Sequence, residues 1–332
     1  MDAQQYRPLV TALFPSRSSS AARPRGVALE QELVTADART GAVVEVGRLL
    51  EATRGASYAE YLSVEPGGQV ELSVPVASGP AALVRSVLAD LAALRADCGR
   101  AGIVLVAAPV DVREEEVPLQ LRSPRYLAMA EHFDRIGPAG RVMMRRTAST
   151  QVCVDWSDGS RGVEQWRVLN LAAPFLAAAF ARRTGPGSRL ATWLEVDPSR
   201  TAFDGRLLVG RCPVAAYADF AAGATPFVEE GAAHLTTLFP PVRPRGRYLE
   251  VRFPDVQEDD AIGRLVSSVA ALVLDDAVRG EALRRLEGEA GRLERHWVDA
   301  AHGDGDAAAR GHALVALALG APAASASLRG AA

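Results

Sequence analysis

The stretch EPGGQVELS, residues 65–73, joins a turn to the start of a strand. Pro66 fixes one backbone φ angle, and the two glycines that follow permit positive φ values, so the first four residues predict a tight turn. In the remainder, Val70 and Leu72 alternate with Glu71, which gives a strand one apolar face and one acidic face. The pattern predicts a sheet that is packed on one side and carries charged groups on the other. The double glycine is also a candidate for close backbone approach to a ligand.

Three further segments repeat this two-faced pattern. The polar face of GVALEQELV carries Glu30 and Glu32, and that of TASTQVCVDW carries Gln151. The polar face of RGRYLEVRF carries Glu250 and Arg252. Stacked in one sheet, the strands and the turn would gather on one concave surface the side chains of Glu30, Glu32, Glu65, Glu71, Gln151 and Glu250. Two carboxylates 4 Å apart repel by roughly 4 kcal/mol at an effective dielectric of 20, so such a cluster needs protons or cations. Oxygen-rich clusters suit Mg²⁺ or Mn²⁺, which bind the phosphates of nucleotides.

Each of these features also has a plainer explanation. Glutamates on half-exposed strands, such as Glu30 and Glu32, are often only solvated, and EPGG is a plausible turn in itself. The Glu-x-Arg pair of Glu250 and Arg252 is more often a surface ion pair than a catalytic group. Only the coincidence of four such segments favours a phosphate-handling metal site, in which Arg252 would meet the charge on a transferring phosphoryl group.

The rest of the chain alternates helical and strand patterns. Leu83, Val87, Leu91 and Leu94 recur at helical spacing, residues 103–107 form an apolar run typical of a buried strand, and residues 261–298 are helical in pattern. We therefore predict an α+β fold with a curved, mostly antiparallel sheet, a concave polar face, and helices on the outer face. The predicted organisation is a flexible lead-in at 1–25, one catalytic domain at 26–300, and an Ala/Gly-rich tail at 301–332 with a short helix near 307–319.

Composition restricts the class of protein. The 332 residues are 48% hydrophobic with a formal net charge of −3, which gives no electrostatic reason to expect nucleic acid or an anionic membrane. Three separated cysteines and the lack of a signal-like start predict a cytoplasmic protein. There is no GxxxxGK[ST] loop for phosphate binding.

Five separated motifs resemble the plant-type and actinobacterial glutamate–cysteine ligases, in the order of that family. They include EPGGQVELS, SPRYLAMAEHF, MMRRTASTQVCVD and HLTTLFPPVRPRGRYLEVR, and the similarity is strongest to the branch that supplies γ-glutamylcysteine for ergothioneine synthesis. The resemblance implies a glutamine synthetase-like fold, ATP with Mg²⁺ (or Mn²⁺) as cofactors, and L-glutamate and L-cysteine as substrates. The γ-carboxylate of glutamate would be phosphorylated, and the amine of cysteine would then displace phosphate.

The resemblance also implies roles for particular residues. Glu30, Glu32, Glu65, Glu71, Gln151 and Glu250 match metal-facing positions, with Gln151 and Arg252 also facing nucleotide. Arg252 matches the arginine that stabilises the transferring phosphate, and it is assigned with Glu71 to catalysis. Arg125, Tyr126, Arg189 and Trp193 match elements that bind glutamate.

The chain departs from the family pattern in two respects. Cys153 stands where the family has asparagine, and a small buried side chain is the favoured interpretation. The substrate-loop region before Arg189 is shortened to FARRTGPGS. Two alternatives to cysteine ligation therefore stay open: a carboxylate–amine ligase with another acceptor, and a non-catalytic paralogue that binds a nucleotide.

Overall fold

One antiparallel sheet organises the chain in the computed structural model, which describes residues 1–15, 26–210 and 212–320. Its strands are β1 (Val27–Asp37), β2 (Leu62–Val64), β3 (Val70–Ala77), β4 (Ile103–Val106), β5 (Thr150–Asp155), β6 (Val242–Arg245) and β7 (Tyr248–Val251). Six of them run in the order β2–β3–β1–β5–β7–β6, and β4 pairs with the far end of β1. Every ladder among these strands is antiparallel. The predicted α+β class with an antiparallel sheet is therefore confirmed.

Helices lie on both sides of the sheet. They are α1 (Ala3–Thr11), α2 (Val46–Ala52), α3 (Pro80–Arg100), α4 (Pro124–Asp134), α5 (Ala139–Arg146), α6 (Gly159–Ala179), α7 (Arg189–Leu194), α8 (Pro198–Thr201), α9 (Pro213–Gly223), α10 (Ala232–Leu235), α11 (Asp259–Leu274), α12 (Asp276–Leu286), α13 (Leu293–His302) and α14 (Gly305–Ala318). Helices α3 and α11 pack on the strands, and α6 packs behind them with α12 and α14. Leu83, Val87, Leu91 and Leu94 are fully buried on α3, as their spacing predicts. None of the described helices is long and apolar enough to cross a membrane.

The central strand β1 follows the predicted alternation. Leu29 and Leu33 are fully buried against the helices, whereas Glu30 and Glu32 face the other way and are only partly covered. The ladders place Glu32 opposite Glu71 and Glu30 opposite Gln151. Antiparallel pairing thus sets polar residues from three strands side by side on the same face of the sheet.

The EPGG segment is a tight turn between β2 and β3. The backbone N–H of Gly68 donates to the carbonyl of Glu65 at 2.8 Å, and Gly68 has a φ of +94°, which favours glycine. A Cβ on Gly67 would lie 2.1 Å from the carbonyl oxygen of Arg145. The backbone at Gly67 thus closely approaches α5 of the chain itself, and an approach of the double glycine to a ligand stays a prediction.

Two predicted terminal segments contain helices that pack on the body. Within the predicted lead-in, α1 buries Tyr6 and Val10 and packs against α9, whereas residues 16–25 lie outside the described residues. Helix α14 coincides with the predicted short helix of the tail and packs on α6. The domain limits at 26 and 300 stay predictions.

Two strand predictions need correction. Strand β4 is not buried, because Val104 and Val106 are 45% and 40% exposed where the strand extends beyond the main sheet. Strand β6 was not predicted, although VRPR alternates two apolar residues with two arginines. A two-residue turn at Gly246, with φ +70°, joins it to β7 as in a tight hairpin.

Candidate active site

A cavity of about 350 Å³ lies over the polar face of the sheet. All eleven residues that the sequence predicts for the site line it: Glu30, Glu32, Glu65, Glu71, Arg125, Tyr126, Gln151, Arg189, Trp193, Glu250 and Arg252. They come from β1, β3, β5 and β7, from the turn after β2, and from helices α4 and α7. The structure brings the predicted set together, and the roles of its members stay predictions.

Carboxylates crowd one side of this cavity, which we call the acidic wall (Glu30, Glu32, Glu65 and Glu71). Glu32 accepts hydrogen bonds from the backbone N–H of Ser149 at 2.7 Å and from the side-chain amide of Gln151 at 2.9 Å. Glu71 accepts from the hydroxyls of Ser63 and Ser73. These bonds hold two of the four carboxylates in fixed positions.

Burial and mutual repulsion raise the pKa values of three carboxylates in this wall, those of Glu30, Glu32 and Glu65. Burial, followed by the charge of Glu71, raises the pKa of Glu30 to about 7. Burial, followed by the charge of Glu32, raises the pKa of Glu65 to about 8. Burial, followed by the charge of Glu71, raises the pKa of Glu32. The wall therefore holds protons near neutral pH that a cation would displace.

The donor chemistry of the acidic wall fits a hard divalent cation. All of its donors are oxygens. Beside it, the buried side-chain oxygen Oε1 of Gln151 has no hydrogen-bond partner in the described part of the chain. Oxygen donors of this kind suit Mg²⁺ or Mn²⁺. Among the described residues, however, no three His, Cys, Asp or Glu side chains are already arranged as a metal site, so side-chain rearrangement would have to accompany binding.

Arginines face the acidic wall from the other end of the sheet, and we call them the arginine wall (Arg243, Arg245 and Arg252). Arg252 forms an ion pair with Glu250, and its buried Nε has no hydrogen-bond partner among the residues that the structure describes. Burial, followed by the charge of Arg243, lowers the pKa of Arg252 to about 10. Glu250 is only 3% exposed, so the Glu-x-Arg pair is a buried ion pair and not the surface pair that its pattern more often indicates.

Sequence reasoning missed two members of the arginine wall. Arg243 and Arg245 belong to β6, where Arg243 lies opposite Glu250 in the ladder. The alternation in VRPR, followed by a glycine turn, was the signal that could have found them. Nε of Arg245 lies 3.5 Å from the carboxylate of Glu250. The cavity therefore joins carboxylates on β1 and β3 to guanidinium groups on β6 and immediately after β7.

The surroundings of Arg189 and Trp193 modify their predicted role. Arg189 is buried and donates hydrogen bonds to the backbone carbonyls of Arg252, Phe253 and Pro254 at 2.9–3.2 Å. Its guanidinium carbon also lies 4.8 Å from the centre of the Trp193 ring. Three of its five N–H groups are thus engaged by the chain itself, which makes Arg189 a support for Arg252 as well as part of the cavity lining.

The α4 side of the cavity is mixed in character. Arg125 donates to the backbone carbonyl of Thr236 at 3.0 Å. Burial, followed by the charge of Glu65, raises the pKa of Tyr126. Met129 and Phe239 add apolar surface beside them. This part of the site can accommodate a ligand with both charged and aliphatic portions.

A second cavity adjoins the first at Glu30. Its volume is about 540 Å³, and Val76, Cys153 and Tyr248 are among its lining residues. Cys153 is 7% exposed, and burial raises its pKa well above the usual value. The prediction of a small buried side chain at this position is confirmed.

The sequence of residues 27–313 matches the family model described as glutamate–cysteine ligase family 2 (GCS2). The chain belongs to this family. It is 33% identical over 267 residues to the glutamate–cysteine ligase EgtA of Mycolicibacterium smegmatis, covering 67% of this chain and 61% of that protein. It is 27% identical over 240 residues to the chloroplastic glutamate–cysteine ligase of Medicago truncatula, covering 59% of this chain and 47% of that protein.

The match thus spans about half to three-fifths of the length of these family members. Among solved structures, a bifunctional glutathione synthetase from Pasteurella multocida aligns with a TM-score of 0.45 and 13% identity, covering 96% of this chain and 53% of that chain.

Proposed function

We propose that the chain is an ATP-dependent ligase that joins the γ-carboxyl group of L-glutamate to the amine of L-cysteine. The observation that carries the proposal is the convergence of an acidic wall and an arginine wall on one cavity in a member of the GCS2 family. The first wall suits cations that bind a triphosphate, and the second suits the charge of a transferring phosphoryl group.

The proposed metal ligands are the residues that the sequence predicts: Glu30, Glu32, Glu65, Glu71, Gln151 and Glu250. When bound there, Mg²⁺ or Mn²⁺ would neutralise the triphosphate and polarise its terminal phosphoryl group for attack by the γ-carboxylate of glutamate. Support comes from the all-oxygen donor set and from the unpartnered Oε1 of Gln151. The hydrogen bonds to Glu32 and Glu71 would orient these two ligands before a metal binds.

The chain's own cations would act on phosphate and substrate. The unpartnered Nε–H of Arg252 is the donor proposed to stabilise negative charge on the phosphoryl group during its transfer. Arg189 would hold the backbone at Arg252 in place through its three carbonyl contacts. Arg125, Tyr126 and Trp193 would contact glutamate. The adjoining, more apolar cavity at Cys153 and Tyr248 would take the nucleoside of ATP.

The acceptor amine is the less constrained part of the proposal. Only residues 180–188 connect α6 to α7, so the substrate-loop region of this chain is short. A ligase with a different amine acceptor is therefore the second candidate. We place the reaction in the cytoplasm, in a thiol pathway such as the one that leads to ergothioneine.

Phosphate release provides the test. Purified protein with ATP and Mg²⁺ should release phosphate only when both L-glutamate and an acceptor are present, and mass spectrometry of the product should show γ-glutamylcysteine. A panel of other amines in the same assay identifies a different acceptor. Tight ATP binding without turnover on any amino acid would instead support a non-catalytic paralogue.

A further inference from the structure

Two arginines of the cavity meet on a single backbone oxygen. Arg125, on α4, and Arg243, on β6, each donate a hydrogen bond from Nη2 to the carbonyl of Thr236, at 3.0 Å and 3.2 Å. The two Nη2 atoms are therefore no farther apart than the sum of these distances. Two positive charges so close together repel each other unless an anion lies near both.

No such anion is provided by the described part of the chain. Within it, neither Arg125 nor Arg243 has a carboxylate oxygen within 4.0 Å, whereas Arg245 and Arg252 both contact Glu250. Arg243 is half-buried, and burial lowers its pKa although the charge of Glu30 opposes this shift. A half-buried cation with no carboxylate in contact is unfavourable, as expected of a group that binds an anionic ligand.

The shared carbonyl oxygen rests on a rigid support. The next residue, Thr237, accepts hydrogen bonds through its carbonyl and its hydroxyl from Arg200, both at 3.1 Å. Arg200 is fully buried and pairs with Asp197 at 2.7 Å. Asp197 in turn contacts His132 of α4, the helix that carries Arg125. One buried network therefore fixes both the carbonyl oxygen and the helix of its first donor.

We propose that Arg125 and Arg243 form a clamp that binds the α-carboxylate of an amino-acid substrate. Each guanidinium group has five N–H donors, and Thr236 and its neighbour Leu235 engage only a few of them. A carboxylate suits this pair better than a phosphate because the proposed metal ligands lie mainly on β1 and β3, and because Met129 and Phe239 offer apolar surface for an aliphatic chain. The inference rests on the proposed function and assigns Arg243 a specificity role in it.

Binding without turnover tests the clamp. Titration calorimetry would use protein saturated with Mg²⁺ and a non-hydrolysable ATP analogue. The affinity for L-glutamate would be compared with that for isoglutamine, its α-amide. The affinity for L-cysteine would be compared with that for cysteine amide, so that the α-carboxylates of the two substrates are probed separately. Wild-type protein should prefer one acid over its amide by about 30-fold, the value expected for a charge-assisted hydrogen-bond pair.

Arg243→Gln should reduce that preference to about 3-fold or less by weakening the acid alone, and Arg243→Lys should retain an intermediate preference. Arg125→Gln is the second variant, with the same expected loss. Arg122→Gln is the matched control, because Arg122 is exposed in the same segment and lines a surface groove instead. Melting curves of each variant verify folding.

Two results would overturn the inference. One is an equal loss of affinity for acid and amide in both Arg243→Gln and Arg125→Gln, which would indicate a structural role. The other is a loss confined to the ATP analogue, which would make the pair a phosphate site. If the protein prefers the acid over its amide but ligates no amine, the clamp is supported and only the proposed function is refuted.

Discussion

Replacement of Glu65 by a neutral amide should make the metal-free protein more stable. Burial and the charge of Glu32 raise the pKa of Glu65 from the ordinary 4.5 to about 8. At pH 7 the side chain is then protonated in the folded chain but ionised in the unfolded chain, so folding must take up a proton. Glu65→Gln replaces it with a neutral side chain of nearly the same shape and removes that requirement.

The magnitude follows from the two pKa values. A pH of 7 lies about 2.5 units above the ordinary glutamate pKa, and each pH unit corresponds to about 1.4 kcal/mol. Proton uptake at Glu65 on folding therefore costs about 3 kcal/mol. Because the pKa of Glu65 is raised in the folded chain, its contribution to wild-type stability is greatest at low pH and falls as pH rises from 4.5 to about 8. The advantage of Glu65→Gln should therefore vanish near pH 4.5.

Urea unfolding with EDTA, at several pH values, measures this difference. The variant should exceed wild type in unfolding free energy by up to about 3 kcal/mol at pH 7, and it should gain less than wild type on addition of Mg²⁺. Glu114→Gln is the control, because Glu114 is exposed and should shift stability by less than about 0.5 kcal/mol. Equal or lower stability of Glu65→Gln in EDTA at pH 7 would refute the reasoning.

Three further predictions concern the turn, the arginine wall and the buried network. Gly67→Ala should lower stability by about 1–3 kcal/mol because the new Cβ meets the Arg145 carbonyl. Gly47→Ala, whose new Cβ has open space around it, should raise stability by about 0.5–1 kcal/mol. Chemical denaturation measures both differences. Arg252→Ala should lower kcat by roughly 100-fold or more with little change in ATP affinity, and comparable losses in both would contradict a transition-state role. Asp197→Asn should destabilise by about 3–5 kcal/mol. Because the pKa of Asp197 is lowered from the ordinary 3.8 to about 2, wild type should lose about 2.5 kcal/mol of stability as pH falls through this range, a loss that acid titration of the variant should lack.

The strands and the site set were accessible from sequence because a two-residue period reports directly on which face each side chain takes. Glu30, Glu71 and Gln151 were predicted to share one surface, and the ladders place them on adjacent strands of the same face. The resemblance to a known family supplied Arg125 and Trp193, which no strand period could have connected to the sheet.

The structural features that could not be predicted from the sequence depend on contacts between distant segments. The glycine at position 67 is required by a carbonyl of Arg145 on another helix. The hydrogen bonds of Arg189 to the segment that follows β7 likewise appear only once helix and strand meet. Strand β6 was missed because a proline within a short strand weakens its pattern, and its arginines were missed with it.

The long span of chain between the strands that form the sheet has a consequence for biosynthesis. Strand β1 is made early, yet β5 pairs with β7 only after residue 251 has left the ribosome. During that interval the outer edge of β5 lacks its neighbour, and open strand edges in nascent chains attract other chains. Strand pairing of this non-local kind is slow, so the nascent chain is exposed to aggregation until β7 has formed.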